Sequence, residues 1–434
     1  HRRRLHAHRL AVRRFGSGQH VLQRLHIDYA GNGVDRRVGY LRGGQIVQKF
    51  GGTSVGDPDR IRAVADHVAR TKRHGDDVVL VVSAMGKETD DLLRLASEVS
   101  ATHPGREMDM LITAGERKAM ALMCMALHDL GVPADSFTGS QAGFLTDTTH
   151  GNAKILEVRP ERVRVAVDSG RVAVVGGSQG GSTENDVTFL GRGGSDTTAV
   201  ALAHALGAEV CELYTDVTGV FTTDPRLVPT ARRMDRVSYE ELLEMTASGC
   251  PKPSMRSVEY SRTHRVRLHV RSAFTWQEGT RVEEKEPTME QAIVSAVVYD
   301  ASEAKMTIAG VPDRAGVAAT VFRALADLDV NVDLIVQNVS ERGVTDISFT
   351  VPRGDLDRTL EETRKLVAEI GAIGVDADAT IARVSIVGAG MRSNPGVAAT
   401  MFETLAETGV NIQMISTSAI RVSCVVAEGQ LEDL

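Results

Sequence analysis

Aromatic side chains are scarce in this 434-residue chain: one Trp, six Tyr and ten Phe make up 4% of it. A core of any size must therefore be filled by Val, Leu, Ala and Ile. Cysteine is scarcer still. Cys124, Cys211, Cys250 and Cys424 lie far apart and never in C-x-x-C spacing. That pattern argues against a disulfide framework or a zinc site and leaves buried, reduced thiols in a cytoplasmic protein as the expectation. No apolar run reaches the ~18 residues that span a bilayer, so no membrane partner is expected.

Residues 1–44 lack lysine and methionine altogether. They hold two acids, Asp28 and Asp35, against ten Arg and five His, so with the whole chain at −7 the remainder carries about −15. The segment shows no periodic apolar pattern. A transit peptide would be rich in serine, and this segment has one. A single-strand nucleic-acid binder would interleave aromatics with the basic residues. The expectation is a disordered Arg/His-rich extension, translated from upstream of the natural start, with no nucleic-acid partner and no place in the fold.

What is present is ordinary in bulk, 42% hydrophobic and 25% charged, with length enough for two or three domains. The most informative run is Val47-Gln48-Lys49-Phe50-Gly51-Gly52-Thr53-Ser54, a lone cation and two glycines between an apolar strand and a helix starting near Asp57-Pro58. Glycines at such a seam let a phosphate approach bare N–H groups, and a helix N-terminus adds partial positive charge. The lysine precedes the glycines, so this is not the Walker pattern. A plain turn explains Gly-Gly equally well on local grounds. Leu190-Gly191-Arg192-Gly193-Gly194-Ser195-Asp196-Thr197 is a second glycine-rich loop, before a helix read as Thr198–Leu206. Thr113-Ala114-Gly115-Glu116-Arg117 lies between the two loops, in a helix read as Gly115–Leu130. Tyr214-Thr215-Asp216 and Phe221-Thr222-Thr223-Asp224-Pro225-Arg226 follow a strand read as Glu209–Leu213.

Apolar strands (Val78–Ser83, Val172–Gly176) alternate with amphipathic helices from Gln45 to about Arg271, which predicts a mainly parallel sheet covered on both faces. Ligands on such sheets sit beyond the carboxyl ends of the strands. After a polar stretch near Glu278–Glu290 the pattern changes. Gly316-Val317-Ala318-Ala319-Thr320 recurs 80 residues later as Gly396-Val397-Ala398-Ala399-Thr400, and Val330-Asn331-Val332 as Val410-Asn411-Ile412. Each unit reads strand, loop, amphipathic helix, strand.

The four motifs, in this order, resemble the aspartate kinases of the amino acid kinase family, in particular the actinobacterial type, from about Val47 to Val426. The repeats resemble ACT domains. The resemblance implies an α/β chain: a three-layer amino acid kinase fold with a mainly parallel central sheet over 45–285, then two ferredoxin-like βαββαβ (ACT) domains over 300–375 and 380–434. The second would be cut short at its C-terminal end, incomplete or completed by a partner's strand. The implied reaction is ATP plus L-aspartate giving 4-phospho-L-aspartate and ADP, the first step toward lysine, threonine and methionine, with amino-acid feedback through the repeats.

Residue roles follow from the same resemblance. Lys49 would neutralise the transferring phosphoryl group, and Asp196 would orient Lys49 or a metal-bound water. Thr89, Glu116, Arg192 and Ser195 would hold aspartate, with Arg192 on a carboxylate and Glu116 on the ammonium. Ser195 and Asp196 are also the residue types of a plain helix N-cap. ATP would meet Lys49, Phe50, Gly51, Gly52, Ser83, Thr215, Asp216, Phe221, Asp224, Arg226 and Lys252, and bring Mg²⁺ with it; no protein metal site is expected. Threonine or lysine would bind Asp313, Gly316, Asn331, Val332, Asp333, Gln337, Asn411, Ile412 and Ser418. A homo- or hetero-oligomer would form through the ACT domains.

Several positions depart from the family pattern: Ser178 for an aromatic, Thr218 for Asp, Lys87-Glu88-Thr89-Asp90 for Asp-Thr-Thr-Asp, and Pro251 for a nucleotide-contacting lysine, with Lys252 one place on. Ala398 and Ala419 replace polar residues in the second repeat. These keep two other readings open: a different carboxylate or amino-acid kinase of the same fold, and a catalytically weak amino-acid sensor.

Overall fold

A computed structural model describes residues 43–284, 293–338 and 343–433. The basic segment, apart from Gly43 and Gly44, lies outside the described residues, as does the end of the polar stretch before Gln291. The first half runs β1 (Gln45–Phe50), α1 (Pro58–Arg73), β2 (Asp77–Val82), α2 (Glu88–Val99), α3 (Gly105–Asp129), β3 (Ala134–Phe137), β4 (Phe144–Thr146), β5 (Ile155–Val158) and α4 (Glu161–Asp168). It continues with β6 (Val172–Gly176), β7 (Gln179–Ser182), β8 (Val187–Phe189), α5 (Gly194–Leu206), β9 (Val210–Thr215), β10 (Arg236–Val237), α6 (Tyr239–Ala247), α7 (Met255–His264), β11 (Leu268–Ser272) and β12 (Thr280–Val282).

The central sheet has the order β10-β12-β11-β9-β1-β2-β6-β3, parallel except where β12 meets β11. Its strands are apolar nearly throughout because both faces are covered. In β2, Val78 to Val82 are all buried. α1 starts where the sequence predicts: Asp57 accepts the Arg60 N–H at 2.9 Å, Pro58 takes the first helical position, and Ile61, Val64, Ala65 and Val68 turn inward. Strand alternation sends Gln48 and Phe50 toward α1 and Val47 and Lys49 toward α5. α5 is buried almost all round because α7 covers its outer side. A small sheet, β5-β4-β7-β8, flanks the site.

Two helix starts differ from expectation. α3 begins at Gly105 rather than Gly115. α5 begins at Gly194 rather than Thr198, so Ser195 and Asp196 lie inside its first turn. The N-cap is Gly193, which sets aside the N-cap reading of Ser195 and Asp196.

The second half runs β13 (Ala296–Asp300), β14 (Glu303–Pro312), α8 (Val317–Asp327), β15 (Ile335–Gln337), β16 (Val344–Pro352), α9 (Leu356–Ile370), β17 (Gly374–Asp378), β18 (Ile381–Val387), α10 (Val397–Glu407), β19 (Met414–Thr417) and β20 (Arg421–Ala427). β14 to β17 with α8 and α9 form a full βαββαβ unit, sheet order β15-β16-β14-β17. β18-α10-β19-β20 repeat its first three strands, and the position held by β17 in the first sheet is filled by β13 beside β18. The strand expected from a partner thus comes from this chain, ahead of the first repeat. Val298 of β13 and Val387 of β18 join the core that contains Leu242 and Met245 of α6, so the second unit is packed onto the first half of the chain.

Candidate active site

The carboxyl ends of β1, β2, β6 and β9 meet at one edge, and the residues singled out by sequence gather there. Lys49 Nζ lies 2.6 Å from Asp196 Oδ1, with both side chains almost fully buried. Asp196 Oδ2 accepts the Ser254 N–H at 3.0 Å. Burial pushes the Asp196 carboxyl up. The Lys49 and Lys252 charges and the bonds from Lys49 and Ser254 outweigh it, so Asp196 is held below the usual carboxylate range. A Cβ built on Gly51 would lie 3.5 Å from Lys49 Nζ, which puts the ammonium directly under the glycine loop.

That loop is a 3₁₀ turn, Gly52–Val55, rather than the immediate start of α1. Gly51 N–H donates to Tyr214 O at 3.4 Å and Gly86 N–H to Gly52 O at 2.9 Å, tying the loop to β9 and to the segment after β2. A Cβ at Gly52 would fall 2.7 Å from Ala84 O, so no larger residue fits without moving backbone. Ser83, half-buried, follows β2 and donates its N–H to Phe50 O. The Phe50 ring is fully buried and stacks on Tyr214 at 4.5 Å, so its side chain is core and only its backbone faces the loop.

Glu116 is 3% exposed, and its Oε2 has no hydrogen-bond partner. Burial, opposed by backbone bonds from its own N–H and that of Ala84, pushes its carboxyl up to about 7. A buried carboxylate with one oxygen left without a partner has the character of a ligand group. Arg192 is 89% exposed along its side chain and reaches toward the start of α2, 3.9 Å from Asp90, the residue that follows Thr89 in the chain. Ser195 Oγ pairs with Ser178 Oγ at 3.0 Å, so the serine standing where the family carries an aromatic is part of the floor.

On the other side of Lys49, Thr215 Oγ1 closes the turn at Val217, and Asp216 is exposed. Phe221 bridges to Arg233 on the loop after β9. Asp224 is engaged by Arg226 through Nε, Nη2 and N–H, bonds that hold its carboxyl low; most of the Arg226 side chain stays in solvent. Lys252 is exposed, yet its charge reaches Asp196, so the lysine one place beyond Pro251 still points its field into the site.

The expected effector positions are scattered. Asp313, Gly316, Asn331, Gln337 and Asn411 are exposed, while Val332 and Ile412 pack against their own units. The Asp333 carboxylate is taken by Arg383, and Ser418 Oγ donates to Glu244 of α6 at 2.8 Å. Sequence reasoning missed Asp109, fully buried, which accepts from His150 Nδ1, Gly151 N–H and Phe189 N–H and fixes the loops beside the site. It also missed Ser254 and Arg256. A serine just after proline and four residues before Val258 is a helix-start signal that could have drawn attention to them.

Comparison with known proteins agrees with this geometry. Residues 44–272 match the amino acid kinase family, and residues 305–368 and 384–433 each match the ACT domain. An aspartokinase of Mycolicibacterium smegmatis is 55% identical over 392 residues, covering 89% of this chain and 93% of the relative. One from Corynebacterium glutamicum is 51% identical with the same coverage. Among solved structures, E. coli aspartokinase III in complex with aspartate and ADP, in its R-state, has a TM-score of 0.77 at 25% identity, covering 89% of this chain and 97% of that one. The Synechocystis aspartate kinase has a TM-score of 0.52 at 41% identity, covering 90% and 67%. With the parallel sheet, the paired glycine loops and two ACT units in place, the chain belongs to the aspartokinases of the amino acid kinase family.

Proposed function

We propose that this chain transfers the γ-phosphoryl group of ATP to the 4-carboxylate of L-aspartate. The carrying observation is the buried Lys49–Asp196 pair beneath the Gly51-Gly52 loop. A substrate carboxylate is already ionised at neutral pH, so no general base is needed. Its oxygen forms a bond to the γ-phosphorus as the bond to the β,γ-bridging oxygen breaks, giving 4-phospho-L-aspartate and ADP. Phosphoryl transfer asks chiefly for positioning and charge neutralisation. Lys49 supplies charge where it develops, and Asp196 fixes the ammonium's place.

Arg192 grips the α-carboxylate of aspartate, Glu116 receives its ammonium, and Thr89 and Ser195 complete the substrate side. ATP lies over Gly51, Gly52 and Ser83, with Thr215, Asp216, Phe221, Asp224, Arg226 and Lys252 along the nucleotide. Among the described residues no three His, Cys, Asp or Glu side chains converge to hold a metal ion. Mg²⁺ would arrive on the nucleotide, keep phosphate and water as ligands, and neutralise phosphate charge there. Asp216, exposed at the end of β9, is the side chain that would bond a water of its shell. Threonine or lysine act through the ACT units, oligomers form through the same units, and the free cysteines suit a reducing cytoplasm.

Coupled ADP release across a panel of carboxylate substrates tests this reading. L-Aspartate should support turnover and L-glutamate should not, since Glu116 and Arg192 fix the distance from ammonium and α-carboxylate to the phosphoryl group. Preference for another acid would overturn it.

A further inference from the structure

Arg192 is largely in solvent, so its own contacts do not hold it in place. The loop that carries it is gripped from beneath by the first residues of α7. Arg256 Nη1 donates to Leu190 O at 2.8 Å, at the start of the loop. Its Nη2 donates to Ala153 O at 2.8 Å, on the neighbouring chain segment. Ser254 Oγ donates to Gly193 O at 3.2 Å in the middle, and Ser254 N–H to Asp196 Oδ2 at 3.0 Å at the far end. Gly193 has φ +77°, and a Cβ there would sit 2.8 Å from Ser254 Cβ, so the loop is pressed onto the helix start.

The chemistry of Arg256 is unusual for a structural cation. It is partly buried, burial pulls its pKa down against the more distant charges of Asp147 and Glu259, and among the described residues no carboxylate forms an ion pair with it. Taking a guanidinium from water without an ion pair is costly. Its planar fork is spent on two backbone carbonyls, one of which opens the loop bearing Arg192.

We propose that Arg256 and Ser254 are positioning residues for the segment Leu190–Asp196: they set Arg192 over the substrate carboxylate and hold Asp196 against Lys49. This rests on the assignment of Arg192 to aspartate. Asp109 ties the same two stretches just upstream, at Gly151 and Phe189, whereas the fork of Arg256 acts on Leu190 itself, where the loop bearing Arg192 opens. A displaced Arg192 would weaken aspartate capture and leave the glycine loop over ATP untouched.

The test is steady-state kinetics on the full chain with Arg256→Gln, Arg256→Lys, Arg192→Ala and the Arg256→Gln/Arg192→Ala pair, alongside thermal unfolding. Misplacement of a substrate-binding group costs about 10- to 100-fold. Arg256→Gln should raise the KM for aspartate by that factor while the KM for ATP stays within about twofold. Arg256→Lys, which keeps one donor without the fork, should fall between, and it carries the test if the Gln variant does not fold. In the Arg192→Ala background, Arg256→Gln should add less than about threefold, because both changes remove one interaction. Losses that multiply, or aspartate and ATP constants that rise together, overturn the proposal. An Arg192→Ala variant with an unchanged KM for aspartate removes the assignment of Arg192 itself, and this proposal with it.

Discussion

Glu116 offers a quantitative prediction. Its carboxyl is pushed up to about 7 by burial. Measured from 4.5, that is about 2.5 units, and at about 1.36 kcal/mol per unit the folded chain bears roughly 3 kcal/mol for keeping this group ionised well above pH 7. The folded-state pKa is raised, so the folded chain holds the proton more tightly than the unfolded one. The associated stability is therefore fully present below about pH 4.5 and is lost as pH rises through about 7.

An ammonium bound at Oε2 reverses the cost. Aspartate should then stabilise the protein more at pH 8 than at pH 6. The KM for aspartate should rise about tenfold from pH 7.5 to pH 6 as the carboxylate takes up its proton. Glu116→Gln removes the titration, so its KM should be flat across that range. It should also be roughly 10- to 150-fold higher than wild type at pH 8, the worth of about 1.5–3 kcal/mol for a charged hydrogen bond. Initial-rate titrations between pH 6 and 8.5, with thermal unfolding plus and minus aspartate, measure both effects. A Gln variant whose KM follows the wild-type pH profile would refute the assignment of Glu116 and the reasoning behind it.

Three other outcomes follow from particular contacts. Arg192→Ala should raise the KM for aspartate far more than that for ATP; equal effects would move Arg192 onto the phosphates. Arg383, 1% exposed along its side chain, is bonded to Asp333, lies near Asp300 and Glu303, and donates to Ala247 O of α6 at 2.8 Å. Arg383→Met leaves those carboxylates without their cation, and denaturant titration should show a loss of about 3–5 kcal/mol, where a change below 1 kcal/mol would contradict the role given to this junction. With Ala398 and Ala419 lacking polar atoms, and with Asp333 and Ser418 already engaged, threonine and lysine together should inhibit weakly in an activity titration; strong inhibition at sub-millimolar levels would show these positions to be immaterial.

The site was legible in the sequence wherever its chemistry is local. Lys49 beside Gly51-Gly52, and Asp196 after Gly193-Gly194, are each fixed by a few adjacent residues, and the structure brings the two loops together as the strand–helix alternation implied. Phe50 was named as a nucleotide contact through the family resemblance, and the burial of its ring against Tyr214 leaves only its backbone for that role. Long-range contacts were not legible. The pairing of β13 with β18 joins residues more than eighty positions apart, so no local pattern showed that the edge beside β18 is filled from upstream. Arg256 meets Leu190 and Ala153 across 66 and 103 residues, and the proline-rich stretch before it drew attention only to a displaced lysine. The raised pKa of Glu116 depends on burial, which no local pattern of residues carries. The ten added residues of α3 begin with Gly105, Arg106 and Glu107, an exposed first turn in which glycine and charge give no helix signal.

The central claim is that Lys49, held by Asp196, neutralises the phosphoryl group passing from ATP to aspartate. Aspartate-dependent ADP release by the wild-type chain and by Lys49→Ala tests it most directly, with circular dichroism to confirm folding and calorimetry to follow ATP binding. The account predicts turnover that requires both substrates in the wild type, and a loss of about 10²–10³ in kcat for a folded variant that still binds ATP. Aspartate-dependent turnover by Lys49→Ala within a few fold of wild type would contradict it.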